Sequence, residues 1–134
     1  MLFAVNVHAN EHERAKSWME ATLSTTEPVA FAWIAMLGFL RVSTRLGVFA
    51  KPLQPAKAFY FLDLWLNADN ARVVHPSEHH FAVLRALLEK VGTAGNLTND
   101  AHLAALAIEH GAELVSFDRD FGRFAGLRLI TLAS

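Results

Sequence analysis

Asp100, Asp118 and Asp120 are the residues of this sequence best suited to chemistry. Asp118-Arg119-Asp120 follows the apolar run Glu113-Leu114-Val115-Ser116-Phe117, which reads as a strand. If the backbone is still extended there, residues two apart point the same way. Both carboxylates then project at the carboxyl end of a parallel strand, where α/β sheets hold their ligands. Carboxylates this close repel, which raises the proton affinity of one. A hard cation such as Mg²⁺ or Mn²⁺ relieves that repulsion through oxygen ligands. Asp100, in Asn99-Asp100-Ala101-His102, opens a helical segment and joins the same site if it turns inward. Each acid also has a plainer role: Asp118 or Asp120 as the N-cap of a short helix, and Asp100 as a favourable charge at a helix N-terminus. The loop Gly92-Thr93-Ala94-Gly95-Asn96 ahead of Asp100 has the glycines that let backbone approach a phosphate.

The seven histidines raise the question of zinc. His79 and His80 are adjacent and diverge by about 100° on a helix. His8 and His12 are four apart, with no third ligand near them in sequence. His102 and His110 share a predicted helix at a spacing too long for one ion. Surface or core-edge positions are therefore expected for all of them. Trp18, Trp33, Trp65 and the phenylalanines are expected in the core and not on a base-stacking platform. Arg41, Arg45, Arg72, Arg119 and Arg123 are either phosphate contacts or solvated surface residues.

The elements that must position these residues alternate along the chain. Residues 11–22 have the spacing of an amphipathic helix. Val29-Ala30-Phe31 is a short strand or the start of a helix. Residues 32–45 are apolar nearly all round, which predicts a buried helix. Pro55 suits the first position of a helix running to about Asn67. Arg72-Val73-Val74 reads as a strand, and Ser77 as the N-cap of a helix with the stripe Phe81, Leu84, Leu87 and Leu88. A helix follows from about Asn99 to His110, closed by Gly111. A short helix then runs from Asp118 to near Gly126, and Arg128-Leu129-Ile130 is a final strand. Strands separated by helices predict an α/β domain with a parallel sheet.

The 134 residues suit one domain, 1–134. Twelve basic and thirteen acidic residues leave a net charge of −1, so nucleic-acid binding would need a local patch or a metal. With no cysteine, disulfide frameworks and thiolate metal sites are excluded. The N-terminal run has no basic leader and reaches His8 and Glu11 early, and no stretch is long enough to span a membrane. A cytoplasmic protein with no membrane partner is expected.

Taken together, the segments resemble a known family. Gly95-Asn96-Leu97-Thr98-Asn99-Asp100-Ala101-His102-Leu103-Ala104-Ala105-Leu106-Ala107, followed by Leu114-Val115-Ser116-Phe117-Asp118-Arg119-Asp120-Phe121, resembles the C-terminal half of PIN-domain proteins. The closest likeness is to the VapC toxins of bacterial toxin–antitoxin pairs. His12-Glu13-Arg14-Ala15-Lys16-Ser17-Trp18 looks like the first helix of that family, and Gly38-Phe39-Leu40-Arg41-Val42-Ser43-Thr44 like its second helical block. The resemblance implies a three-layer fold with a short parallel sheet. It also implies a metal-dependent ribonuclease that uses Mg²⁺ or Mn²⁺, a cognate antitoxin as partner, and a homodimer. Asp100, Asp118 and Asp120 match the family's metal-binding acids, and Ser116 matches a hydroxyl commonly found beside them.

Two features depart from the pattern. The family opens with a strand carrying Asp-x-Asn-x-Leu just ahead of the residues resembling Leu2-Phe3-Ala4-Val5, whereas this sequence begins at Met1. The first strand is therefore expected to be short, with its acid missing. Three explanations compete: a start assigned too late, a degraded copy, or an inactive binding partner. Met36, Leu37 and Gly38 stand where the family often has a glutamate, and none of them binds a hard metal.

Overall fold

Short parallel strands buried on both faces need helical crossovers, and the chain alternates accordingly. In the computed structural model the backbone is described for residues 2–3, 12–45, 52–116 and 119–131, and side chains for the same residues except 2–3, 12–16 and 119–120. The strands are β1 (Leu2–Phe3), β2 (Val29–Ala32), β3 (Ala71–Val74), β4 (Leu114–Ser116) and β5 (Leu129–Thr131). The helices are α1 (His12–Leu23), α2 (Trp33–Ser43), α3 (Pro55–Leu66), α4 (His80–Val91) and α5 (Thr98–Glu109). Single 3₁₀ turns cover Gly95–Leu97 and Arg119–Arg123.

The sheet runs β3-β2-β1-β4-β5, and every pairing is parallel. The expected short first strand lies at its centre. Leu2 pairs with Ala30 on one side and Leu114 on the other, and Phe3 with Phe31 and Val115. The chain builds outward through β2 and β3, then returns across β1 to add β4 and β5. The order therefore reverses between β1 and β4, the kind of place where open α/β sheets form a crevice.

Two cores lie on opposite faces of this sheet. Val29, Phe31 and Val115 pack against Met19 of α1, Met36 and Phe39 of α2, and Ala58, Leu62 and Trp65 of α3. Ala32 and Leu114 pack against Leu87 of α4 and the run Leu103–Ala107 of α5. The alternation Val115 to one core and Leu114 to the other is the period-two signature of a strand covered on both faces. The result is the expected three-layer α/β arrangement. The alanines of α5 (Ala101, Ala104, Ala105 and Ala107, each fully buried) let this helix lie close to its neighbours.

Several boundaries and exposures differ from expectation. Val29–Ala32 resolves as strand, because its alternate residues serve the two cores. The helix α2 is not buried all round, since Trp33 is 54% exposed and Leu37 56%. Hydrophobic pattern alone does not separate a core face from a face left open. Phe81, expected in the apolar stripe of α4, is also exposed. Ser77 does not cap α4 as its first flanking residue: that position is His79, and the Ser77 hydroxyl accepts the His79 N–H at 3.1 Å. Gly111 does close α5, with φ at +63°, where an L side chain would be strained.

Candidate metal centre at the carboxyl end of the sheet

Of the acids predicted from sequence, Asp100 lies on α5, and Asp118 and Asp120 follow β4 along the chain. The helix α5 packs against β4 and leads into it through residues 110–113. Asp100 occupies the first turn of α5 and is half-buried. None of the N-cap positions of α2 to α5 uses a side-chain cap bond, and Leu97 precedes α5 in that role. The strand β4 ends at Ser116, fully buried and paired in register with Thr131. Ser116 therefore sits at the carboxyl end of β4, two residues ahead of Asp118. Asp118 itself and the side chain of Asp120 lie outside the described residues, while the backbone of Asp120 belongs to the 3₁₀ turn that follows β4. That turn is anchored by Phe121 and Phe124, both buried against the α5 side of the sheet. Among the described residues, no group of three or more histidines, aspartates or glutamates is gathered to hold a metal.

Of the candidate phosphate-binding arginines, Arg72 is turned to its own backbone, donating to the carbonyls of Asp69 and Ala71 at 2.9 and 2.7 Å. Arg41, Arg45 and Arg123 are exposed. Trp65 is a core residue as expected and stacks on Phe39 edge-on, with ring centroids 5.1 Å apart. Trp33 is not. It opens a groove of about 450 Å³ together with Met36, Leu40, Phe59, Tyr60 and Leu66, between α2 and α3.

The largest polar surprise lies between α4 and α5. The Glu109 side chain is only 2% exposed. Its Oε1 accepts the Ser77 N–H at 2.8 Å, and its Oε2 lies 2.8 Å from His80 Nδ1. The other nitrogen of His80, Nε2, is 2.9 Å from His102 Nδ1. His110 Nε2 reaches the His75 carbonyl at 2.8 Å, tying the segment after β3 to the end of α5 a second time. A buried carboxylate accepting two donors at the start of α4 also complements the positive end of that helix. The His102 ring is held below the ordinary histidine range, first by burial and then by His80, with Glu109 opposing. Sequence reading left these histidines at the surface or core edge. Their partners are 22 and 29 residues apart, on antiparallel helices. The one available signal was the spacing of His102 and Glu109, seven residues apart and so on one helical face.

The all-parallel sheet, reversing at its centre and covered by helices on both faces, defines a three-layer α/β domain. The PIN domain model matches residues 2–127, and the chain belongs to the PIN-domain family. Within it the chain is a member of the VapC group. It is 44% identical to Ribonuclease VapC37 of Mycobacterium tuberculosis over 128 residues, 96% of this chain and 89% of that protein. It is 38% identical to Ribonuclease VapC33 of the same species, over 96% of this chain and 90% of the relative. The fold matches VapBC2 of Rickettsia felis bound to a promoter DNA fragment (TM-score 0.65, 21% identity, 98% of both chains). It also matches VapBC-1 of nontypeable Haemophilus influenzae (TM-score 0.66, 16% identity, 98% of both chains).

Proposed function

We propose that this chain, as a single domain, is the endoribonuclease toxin of a toxin–antitoxin pair, hydrolysing RNA phosphodiester bonds with a divalent metal held by Asp100, Asp118 and Asp120. The observation that carries the reading is Asp100 in the first turn of α5, the helix that runs into β4, with that strand ending two residues before Asp118. Both family relatives are named ribonucleases, which supports RNA as the substrate. Among the described residues no helix is long and apolar enough to cross a membrane, which fits a cytoplasmic substrate.

The proposed donor set is all oxygen, three carboxylates with the Ser116 hydroxyl that the family resemblance adds to them, and that chemistry fits Mg²⁺ or Mn²⁺ and not a thiolate-seeking ion. When bound, such an ion supplies a water of lowered pKa and shields the charge on the scissile phosphate. Asp100 and Asp118 would hold it, and Asp120 would bind or orient from two positions beyond. Ser116 is buried at the end of β4, two residues before Asp118 in the chain.

The open groove between α2 and α3 supports a protein partner. Trp33, Phe59 and Tyr60 line that groove and are each more than half exposed, as are Leu37 of α2 and Leu64 of α3, apolar surface of the kind that a partner covers. The antitoxin is the partner this reading assigns, and self-association as a homodimer is expected from the family.

Mn²⁺ calorimetry on the parent, Asp100→Ala and Asp118→Ala tests the site, with RNA cleavage measured alongside. The parent should bind Mn²⁺ and cut RNA, and both variants should lose binding. In EDTA the variants should melt at or above the parent, because mutually repelling acids are removed. Both melting well below it, at the roughly 1 kcal/mol typical of a lost helix cap, would leave the acids as caps alone. Binding only in a form extended ahead of Met1 by Asp-x-Asn-x-Leu would make the family's first acid indispensable.

A further inference from the structure

We propose that His80 and His102 form a second cation site, for an imidazole-seeking ion of the Zn²⁺, Ni²⁺ or Cu²⁺ class, which staples α4 to α5. The proposal does not depend on the acidic centre, because it draws on other side chains and another ligand chemistry.

Two ring nitrogens from different helices already face each other. His80 Nε2 and His102 Nδ1 are 2.9 Å apart, with the rings edge-on at 78° and centroids 4.7 Å apart. Two Zn–N bonds of about 2.05 Å at a tetrahedral angle place the nitrogens about 3.3 Å apart. At 2.9 Å the two nitrogens share a hydrogen bond, so an ion would take the place of the shared proton, with the rings parting and turning until both lone pairs meet it.

Glu109 fixes which nitrogen of His80 is available. Its Oε1 is committed to the Ser77 N–H, and its Oε2 faces His80 Nδ1. An ionised carboxylate only accepts, so His80 donates its Nδ1–H to Glu109; the Nε2 of the neutral ring then accepts from His102 Nδ1–H, and that is the proton an ion would displace. Carboxylate, histidine and metal in this order is the arrangement that orients imidazole ligands in many metal proteins.

Neither ring is sealed off. The His80 side chain keeps 12% of its surface, and His102 is half-buried, so water can complete the coordination. Two imidazoles and water favour zinc-class ions over Mg²⁺, which prefers oxygen and keeps its own water. The other described histidines do not assemble this way: His79 lies beside Glu78 with 74% of its side chain exposed, and His110 is held by a backbone carbonyl.

The test is Zn²⁺ titration of the full chain without a histidine tag, by calorimetry and by ¹⁵N spectra of the histidine rings. We expect one Zn²⁺ per chain, with shifts confined to His80 Nε2 and His102 Nδ1. His102→Gln should weaken binding at least tenfold, and Glu109→Gln by ten- to a hundredfold, the range for losing the partner that orients a ligand. Asp100→Asn should leave Zn²⁺ affinity within twofold. His80→Gln provides a second removal of the pair if His102→Gln fails to fold. Unchanged binding in the folded histidine variants overturns the proposal, as does binding lost with Asp100→Asn, shifts at other histidines, or no binding up to millimolar Zn²⁺. Failure of Mn²⁺ binding at the acids leaves all these outcomes readable.

Discussion

Removing Glu109 should cost far more than its place at a helix end suggests. Its carboxylate is almost fully buried and accepts from the Ser77 N–H and from His80 Nδ1, both at 2.8 Å. Hydrogen bonds to a charged group contribute about 1.5–3 kcal/mol each. Desolvation of the carboxylate offsets part of that in the parent, but truncation to alanine leaves two donors buried without an acceptor. Each buried donor left unsatisfied costs about 1–3 kcal/mol, so Glu109→Ala should lose roughly 3 kcal/mol. Glu109→Gln keeps the shape. Its amide oxygen can take the Ser77 N–H while its NH₂ donates to Nδ1 of a His80 ring in the other tautomer, so the loss should be about 1 kcal/mol. Urea unfolding of the full chain, followed by far-ultraviolet circular dichroism, measures both as midpoint shifts at constant slope. Amide exchange should show the extra opening in the first turn of α4, which has no side-chain cap bond of its own. Glu109→Ala costing under 1 kcal/mol, or Gln costing as much as Ala, would refute the reasoning.

Two other perturbations read different parts of the molecule. Leu37→Ser and Phe59→Ser, at residues 56% and 57% exposed, should each shift stability by less than about 0.5 kcal/mol; together they should weaken antitoxin binding at least tenfold, measured by titration of the purified partner. His102 is held below its ordinary pKa of 6.5, so the folded state resists a proton that the unfolded chain accepts. Its contribution to stability is therefore full above about pH 6.5 and declines as the pH falls toward the lowered folded value. Melting temperatures between pH 7.5 and 5.5 should fall less steeply in His102→Gln than in the parent, and equal slopes would assign the fall to other groups.

Much of the architecture was legible because it rests on local rules. Pro55 starts a helix, Gly111 ends one at positive φ, and the apolar run through Val115 forms a strand. Asp100 was placed correctly in the first turn of α5 for the same reason: an apolar helical period begins there. What the sequence hid depends on which elements lie side by side. The open face of α2 could not be told from its buried face, since Trp33 and Leu37 are as apolar as Met36 and Phe39. The contact of His80 with His102 and Glu109 required α4 and α5 to run antiparallel, which no spacing within either helix specifies.

The helix α5 explains why both kinds of polar site arise in one small domain. Asp100 and Glu109 lie nine residues apart on it, about 14 Å along the axis. Between them the buried alanines seat the helix close against β4 and α4, so neither end can shift without disturbing the core. At one end Asp100 is half-buried in the first turn, and the proposed function gives its oxygens to a hard cation. At the other end an acid is sunk between helices, where its partners are imidazole and a backbone amide. The same residue type therefore serves opposite purposes. A half-buried carboxylate keeps oxygen surface that a ligand can reach, whereas both oxygens of the buried Glu109 already accept a donor. In the two proposals Glu109 would act only through the orientation of His80, and Asp100 through its own oxygens. The two cations should accordingly be separable by ligand preference, Mn²⁺ following Asp100 and Zn²⁺ following His102.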